Sequence, residues 1–378
     1  MGQQQSALEV LAVKQFADIY HNRKVLLTGH TGFKGSWLAS WLTQLEAKVT
    51  GLSLPPERSP NHWDLLTTPT LDLQGDIRDL PAVLQAFDQA RPEIVFHLAA
   101  QALVRRSYQN PLESWSTNVM GTANVLEACR TTPGVRAVVI ITTDKVYANQ
   151  EWPWGYREND ALGGHDPYSA SKAATELLAD SYRSAFGDSD SAPLLATARA
   201  GNVIGGGDWA EDRLIPDLVR ALAQGQPLEI RSPQATRPWQ HVLECLSGYL
   251  LLGQRLLEGD ASAARAWNFG PASADNRSVQ QVLTGLQRHW PELDWQVSSA
   301  SQLHEARLLY LDCARARTEL HWQPVWSLEQ ALEMTATWYR HFYATGRACT
   351  REQLRQYLDA ARQSGQPWIT SPPEAAPE

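Results

Sequence analysis

Two short stretches carry side chains that could do chemistry together. Tyr168-Ser169-Ala170-Ser171-Lys172 sets a phenol and an ammonium four residues apart at the start of a helical stretch, which puts both on one face. The ammonium would draw the phenol below its usual pKa of about 10, so that a tyrosinate could take the proton of an alcohol. Tyr and Lys at this spacing also occur on ordinary helices, so the weight lies in their company. A β-branched run, Val135 to Thr142, leads into Thr143-Asp144-Lys145, a hydroxyl, a carboxyl and an amine in succession. Such a set suits hydrogen bonding and proton transfer, although Asp144 and Lys145 could equally be a solvated pair on a loop. Adjacent side chains of an extended strand point to opposite sides, so these two need an irregular backbone to serve neighbouring atoms. Lys145 would act as a base only if burial or Lys172 depressed its pKa; held cationic, it would stabilise a developing anion. Both roles stay open.

A third stretch supplies a cofactor cradle. Lys24 to Thr28 is a short apolar run, followed by Gly29-His30-Thr31-Gly32-Phe33-Lys34-Gly35 and a helical segment from Ser36 to Leu45. Strand, glycine turn and helix together let the backbone approach a pyrophosphate at a helix N-terminus. The spacing is G-x-x-G-x-x-G; the bland alternative is a plain strand-to-helix turn. Val49 to Leu54 reads as the next strand. Asp76-Ile77 follows another short strand and could receive an adenine amino group, or cap the helix over 81–90. An acid closing the second strand would hold the ribose hydroxyls of NAD, but that strand ends Leu52-Ser53-Leu54 with none, so a dinucleotide is expected, with NAD as the cofactor and NADP not excluded. Arg58 is a possible 2′-phosphate contact or a lone surface arginine.

The elements that position these groups alternate. Glu93 to Leu98 reads as a buried strand, Leu112 to Arg130 as a helix, Val135 to Thr142 as a central strand, Ser169 to Phe186 as a helix and Leu194 to Ala200 as a strand. The rhythm predicts an α/β fold: a Rossmann-type doubly wound parallel sheet with a smaller C-terminal substrate-binding domain. Residues 1–200 form the dinucleotide-binding domain, with 242–270 returning to it. Residues 201–360 mainly bind substrate, and 364–378, with its four prolines, reads as a disordered tail.

Composition narrows the classes. The 378 residues are 43% hydrophobic and 20% charged, as in globular proteins, and the net charge of −8 argues against a nonspecific grip on nucleic acid. Cys129, Cys245, Cys313 and Cys349 lack metal or redox spacing, so no metal and a reducing, cytoplasmic setting are expected. No apolar run reaches the ~20 residues of a membrane span. Gly2 and Ser6 fit a loose myristoylation pattern that is common by chance.

With these motifs in hand, the chain resembles the extended short-chain dehydrogenases/reductases over nearly its whole length. Leu98-Ala99-Ala100, Asn118, Thr143, Tyr168, Lys172 and the run Arg199 to Gly206 match that family's pattern. The resemblance implies that Thr143, Tyr168 and Lys172 are the hydride-transfer triad. It implies that Gly29, Thr31, Gly32, Phe33, Lys34, Gly35, Asp76, Ile77, Leu98 to Ala100 and Asn118 surround the cofactor, and that Asn202 meets the substrate's phosphate. Asp144-Lys145 resembles the 4,6-dehydratases that act on CDP-glucose, as do Gly29 to Trp37, Gly206 to Trp209 with Asp212 to Asp217, and Arg237 to Val242. That likeness implies C4 oxidation of a nucleotide sugar, loss of water across C5 and C6, and reduction at C6. Gln101, Arg105 and Tyr108 are expected to face the sugar. Arg213 and Arg237 are expected at the pyrophosphate unless they form structural ion pairs, and Trp239 and His241 are expected to shape the pocket. A homodimer or homotetramer through the helices at 112–130 and 169–186 is implied too. A sugar-nucleotide epimerase and a catalytically silent dinucleotide sensor are the rival readings; the pair after Thr143 argues against the first and the intact triad against the second.

Overall fold

The computed structural model describes residues 14–189, 192–230, 232–272, 275–298 and 308–370. The Gly2–Ser6 pattern and residues 371–378 of the expected tail lie outside them.

Seven parallel strands form the centre: β1 (Lys24–Thr28), β2 (Lys48–Ser53), β3 (Leu71–Gln74), β4 (Ile94–His97), β5 (Ala137–Ile141), β6 (Leu194–Ala200) and, after two short strands, β9 (Ala266–Phe269). Their order is β9-β6-β5-β4-β1-β2-β3. The strand order reverses between β1 and β4, which opens a crevice at their carboxyl ends. Every residue of β4 and β5 is buried, as expected of strands covered on both faces. Helices α1 (Phe33–Gln44), α2 (Leu80–Ala90), α3 (Thr122–Thr131), α4 (Pro167–Phe186) and α6 (Val242–Leu257) cover the sheet. The second sheet holds β7 (Asn202–Ile204), β8 (Thr236–His241) and β10 (Asn276–Ser278) in the order β10-β8-β7. With α5 (Leu214–Ala223) and α7 (Val279–His289), it forms the smaller part beside the carboxyl ends.

Two expectations need correction. The helix read across 112–130 is three pieces: a turn at Pro111–Trp115, a π-helical stretch at Ser116–Gly121, and α3. The wide turn is where Asn118 reaches both Gln101 and α4, and those side-chain bonds favour a break that periodicity cannot signal. Residues 364–370, expected in a disordered tail, are ordered. Trp368 is buried and stacks on Phe16 at 5.0 Å, and Ile369–Thr370 pairs antiparallel with Lys14–Gln15. Burial of two large aromatic rings outweighs the entropy of holding the segment.

Candidate active site

Thr143 ends the extended run after β5, and its hydroxyl accepts from the Lys145 amide at 3.3 Å, which turns the chain into a single 3₁₀ turn over Asp144–Val146. This turn is the irregular backbone that Asp144 and Lys145 need. The Thr143 hydroxyl also donates to Asp144 Oδ1 at 3.0 Å. Asp144 is 1% exposed, and its Oδ2 is buried without a partner. Burial raises its pKa against the opposing pull of Lys145, Thr143, Arg237 and Lys34. A carboxyl so held keeps its proton more readily than a free one. Lys145 is half-buried.

The helix that brings the phenol is fixed at its start. Asp166 caps α4 by accepting from the Ser169 amide at 2.9 Å, with Pro167 in the first turn. Tyr168 and Lys172 then face the end of β5. Lys172 Nζ donates to the Ile141 carbonyl at 3.0 Å. Burial lowers its pKa to about 8, with Lys34 adding to the fall and Glu176 opposing it. Burial pushes Tyr168 up to about 12, while the Thr143 hydroxyl and the Arg213 guanidinium pull the other way. The cation that acts most on the phenol is therefore Arg213, a residue placed by sequence at the pyrophosphate.

The glycine turn lies across the crevice. Gly29 has φ +77°, and a Cβ there would come within 2.6 Å of the Ala99 amide nitrogen; a Cβ on Gly35 would overlap the Gly29 carbonyl. Backbone is thus packed on backbone between the ends of β1 and β4, leaving the first turn of α1 open to a ligand. This close approach fits a dinucleotide pyrophosphate. Thr31 Oγ1 bonds Ser53 Oγ at 2.8 Å, so the end of β2 carries hydroxyls where an acid was absent. Arg58 pairs with Glu211 at 2.5 Å, in keeping with a structural role. Lys34, in the first turn of α1, acts electrostatically on Asp144 and Lys172.

Several predicted contacts are already engaged by the protein. Both oxygens of Asp76 are held by Arg78, which lowers the carboxyl's pKa, and Ile77 packs beneath Gly121. Asn118 is 1% exposed; its amide donates to the Gln101 carbonyl and to Ser171 Oγ and accepts from the Gln101 amide. It braces the chain after β4 at Gln101 against α4, and its side-chain amide is taken up by protein partners. Gln101 in turn donates to Leu103 O and Ser114 Oγ. Arg105 pairs with Asp212 at 2.9 Å and Arg213 with Asp208 at 3.1 Å, whereas Tyr108 is exposed. Asn202 sits opposite Trp239 in the β7–β8 register, and Arg237, two residues earlier on β8, is 5% exposed.

Trp239 and His241 correct the expectation that they shape the pocket. Trp239 is 4% exposed and donates to the Arg277 carbonyl; His241 is fully buried, caps α6 by accepting from the Leu243 amide, and lies edge-on to Trp37 and Trp326. Both belong to the core because their strand faces α6. Sequence reasoning missed a buried chain from Thr28 through His97 to Thr122, with contacts of 2.7 and 2.9 Å, that ties β1, β4 and α3 together. Burial lowers His97 to about 3, so this imidazole is neutral. Its only sequence signal was the polar ends of two apolar strands.

Comparison with known proteins agrees with this arrangement. The family described as GDP-mannose 4,6 dehydratase matches residues 26–335. A CDP-glucose 4,6-dehydratase from Salmonella typhimurium is 42% identical over 352 residues, covering 91% of this chain and 98% of that enzyme. A dTDP-glucose 4,6-dehydratase from Streptomyces antibioticus is 31% identical, over 71% of this chain and 76% of its own. Among solved structures, a dTDP-glucose 4,6-dehydratase from Streptomyces venezuelae, with NAD bound, superposes with a TM-score of 0.74 at 25% identity, covering 85% of this chain and 98% of that one. An epimerase from Methanothermobacter thermautotrophicus gives 0.77 at 23% identity over 89% and 96%, a likeness of fold alone. By the extent of these matches, the chain belongs to the GDP-mannose 4,6 dehydratase family, within the extended short-chain dehydrogenases/reductases.

Proposed function

We propose that this chain is an NAD-dependent CDP-glucose 4,6-dehydratase, which converts CDP-glucose to CDP-4-dehydro-6-deoxyglucose and water. The observation that carries the reaction type is Asp144, a buried carboxyl at the strand end beside Thr143, with burial favouring its protonated form. An epimerase on the same fold has no use for an acid there. Identity to the Salmonella enzyme supports the nucleotide.

NAD, when bound across the glycine turn, supplies the oxidising equivalent at C4 and the reducing equivalent at C6. The protein supplies the proton transfers and the positioning. Tyr168 Oη takes the proton of the C4 hydroxyl, with Thr143 Oγ1 sharing that hydrogen bond. Lys172 holds the Ile141 carbonyl and keeps positive charge beneath the phenol. The resulting 4-ketone acidifies C5–H. Lys145 either removes that proton itself or stays cationic and stabilises the enolate while a water takes it; Asp144 gives its proton to the C6 oxygen, which departs as water, and a proton returns to C5 as C6 is reduced. Arg213 and Arg237 bind the pyrophosphate, and Arg213 must exchange Asp208 for it.

We also infer a homodimer. Leu112, Trp115, Met120 and Phe186, at 80, 40, 58 and 45% exposure, leave apolar surface on the helices around α3 and α4. Incubation with CDP-, dTDP-, GDP- and UDP-glucose, followed by mass spectrometry, tests the central reading. Loss of one water from CDP-glucose alone is expected. An unchanged mass with a new stereoisomer would make the chain an epimerase.

A further inference from the structure

Tyr168 and Lys172 are two members of a longer stripe. Glu176 follows at the same four-residue interval, so the three side chains lie on one face of α4. They meet three successive residues at the end of β5. Thr143 lies close enough to favour ionisation of the Tyr168 phenol, Lys172 Nζ donates to the Ile141 carbonyl at 3.0 Å, and Glu176 Oε1 accepts from the Thr142 hydroxyl. The second oxygen of Glu176 accepts from Thr197 Oγ1 at 2.7 Å and from Arg199 Nη2 at 2.9 Å, both on β6. Glu176 and Arg199 are 2% and 3% exposed. Arg199 is held in turn by the Tyr147 hydroxyl at 2.9 Å and the Glu158 carbonyl at 3.0 Å, and its guanidinium lies over the Tyr147 ring at 5.1 Å. One carboxylate therefore joins α4, β5 and β6 directly behind the reacting groups.

We propose that Glu176 is a positioning residue for the dehydration: its carboxylate, paired with Arg199 and bonded to Thr142, locks the Thr142–Thr143 strand end against α4 and supplies the anion one helical turn behind Lys172. The inference rests on the proposed dehydratase reading for its catalytic consequence, but not for its electrostatic one. The physical case is one of charge and reach. Desolvating a lysine this far favours the neutral amine, and Lys34 from α1 repels it further; Glu176 is the carboxylate that opposes both. From β4, the His97 ring facing Lys172 is neutral and offers no compensating charge. Removing the carboxylate would also leave the Arg199 guanidinium buried without its anionic partner, with Thr142 free to rotate away. Glu176 touches neither substrate nor cofactor and acts through Lys172 and Thr142.

The test separates position from mere stability. The chain has six lysines (14, 24, 34, 48, 145 and 172), so lysine labelled with ¹³C at Cε gives a spectrum in which Lys172 is assigned by its loss in Lys172→Met. In Glu176→Gln the Lys172 titration midpoint should fall at least one pH unit below that of the full-length wild-type chain, and the alkaline limb of kcat should move down with it. A folded Glu176→Gln protein with an unmoved midpoint overturns the proposal. Should that variant fail to fold, Thr142→Val decides. It keeps the ion pair and removes only the hydroxyl link, so kcat should fall about ten-fold at unchanged KM, with the Lys172 midpoint in place. A wild-type kcat in folded Thr142→Val overturns the locking role. Absence of turnover by the wild-type chain would sink the dehydratase reading alone, since the lysine titration needs no substrate.

Discussion

The two sides of the crevice are built differently. On the β5–α4 side, Thr142, Thr143, Lys172, Glu176 and Arg199 are buried, and nearly every polar atom is bonded to another part of the protein. On the other side, in the 101–109 segment and residues 205–217, three guanidinium groups stay partly exposed in ion pairs: Arg105 with Asp212, Arg213 with Asp208, Arg106 with Glu57 and Glu113. Asp212 even adopts φ +57°, a conformation that costs a non-glycine residue energy. Pairs of this kind contribute little to stability and are easily exchanged. The difference teaches that the proposed chemistry is preorganised by bonds within the protein, whereas the proposed recognition of a nucleotide sugar would require carboxylates to be exchanged for phosphates.

The sharpest way to break the comparison is to remove the phenol. Tyr168→Phe should lower kcat by about 10³-fold without a change in thermal midpoint, read by product formation and calorimetry. Next, Asp144→Asn should cut water loss by about 10²-fold while C4 oxidation persists, so absorbance of the reduced nicotinamide should accumulate with substrate; equal loss of both steps would deny Asp144 its acid role. On the recognition side, Arg213→Ala should act mainly on KM. Loss of one charge-assisted contact predicts a rise of roughly 10- to 100-fold, and a kcat effect larger than the KM effect would instead make its pull on Tyr168 the dominant role. The pH dependence gives a smaller effect. Lys172 is cationic below about 8 and neutral above it, so an activity that needs the ammonium is full near pH 6.5–7 and declines as the pH rises through 8. Smallest for activity is Trp368→Ala. It should destabilise the fold by about 3 kcal/mol in denaturant titration yet leave KM alone, because the Phe16 stack is remote from the crevice.

The parallel sheet was legible because its strands are continuous apolar runs and its cofactor turn is glycine-rich, and both are local signals. Tyr168, Lys172 and Thr143 could be found from spacing and resemblance. What could not be read were the roles of polar residues that end up facing protein. Asn118 and Gln101 bond each other, and Asp76 is taken by Arg78 two residues on. His241 alternates with exposed positions in no visible pattern, since β8 is covered on both faces. Glu176 looked like one more charge on a helix. Its partner Arg199 lies on β6, 23 residues further along the chain, and only the packing of α4 on β5 and β6 brings them together.

The wide turn at Ser116–Gly121 also has a meaning in terms of chain length. A π-turn is an α-helix that has taken in one extra residue, and one residue is worth a rotation of about 100°. The apolar face of α3 (Val125, Leu126, Ala128, Cys129) reaches the core only because that rotation has been made. A single-residue deletion within 116–121 would therefore act at a distance: it would turn α3 so that its charged flank, Glu127 and Arg130, swung toward the sheet. Insertions and deletions in this short stretch should be far rarer among functional variants than substitutions, and a lineage that lost the extra residue would have to repaint the whole helix.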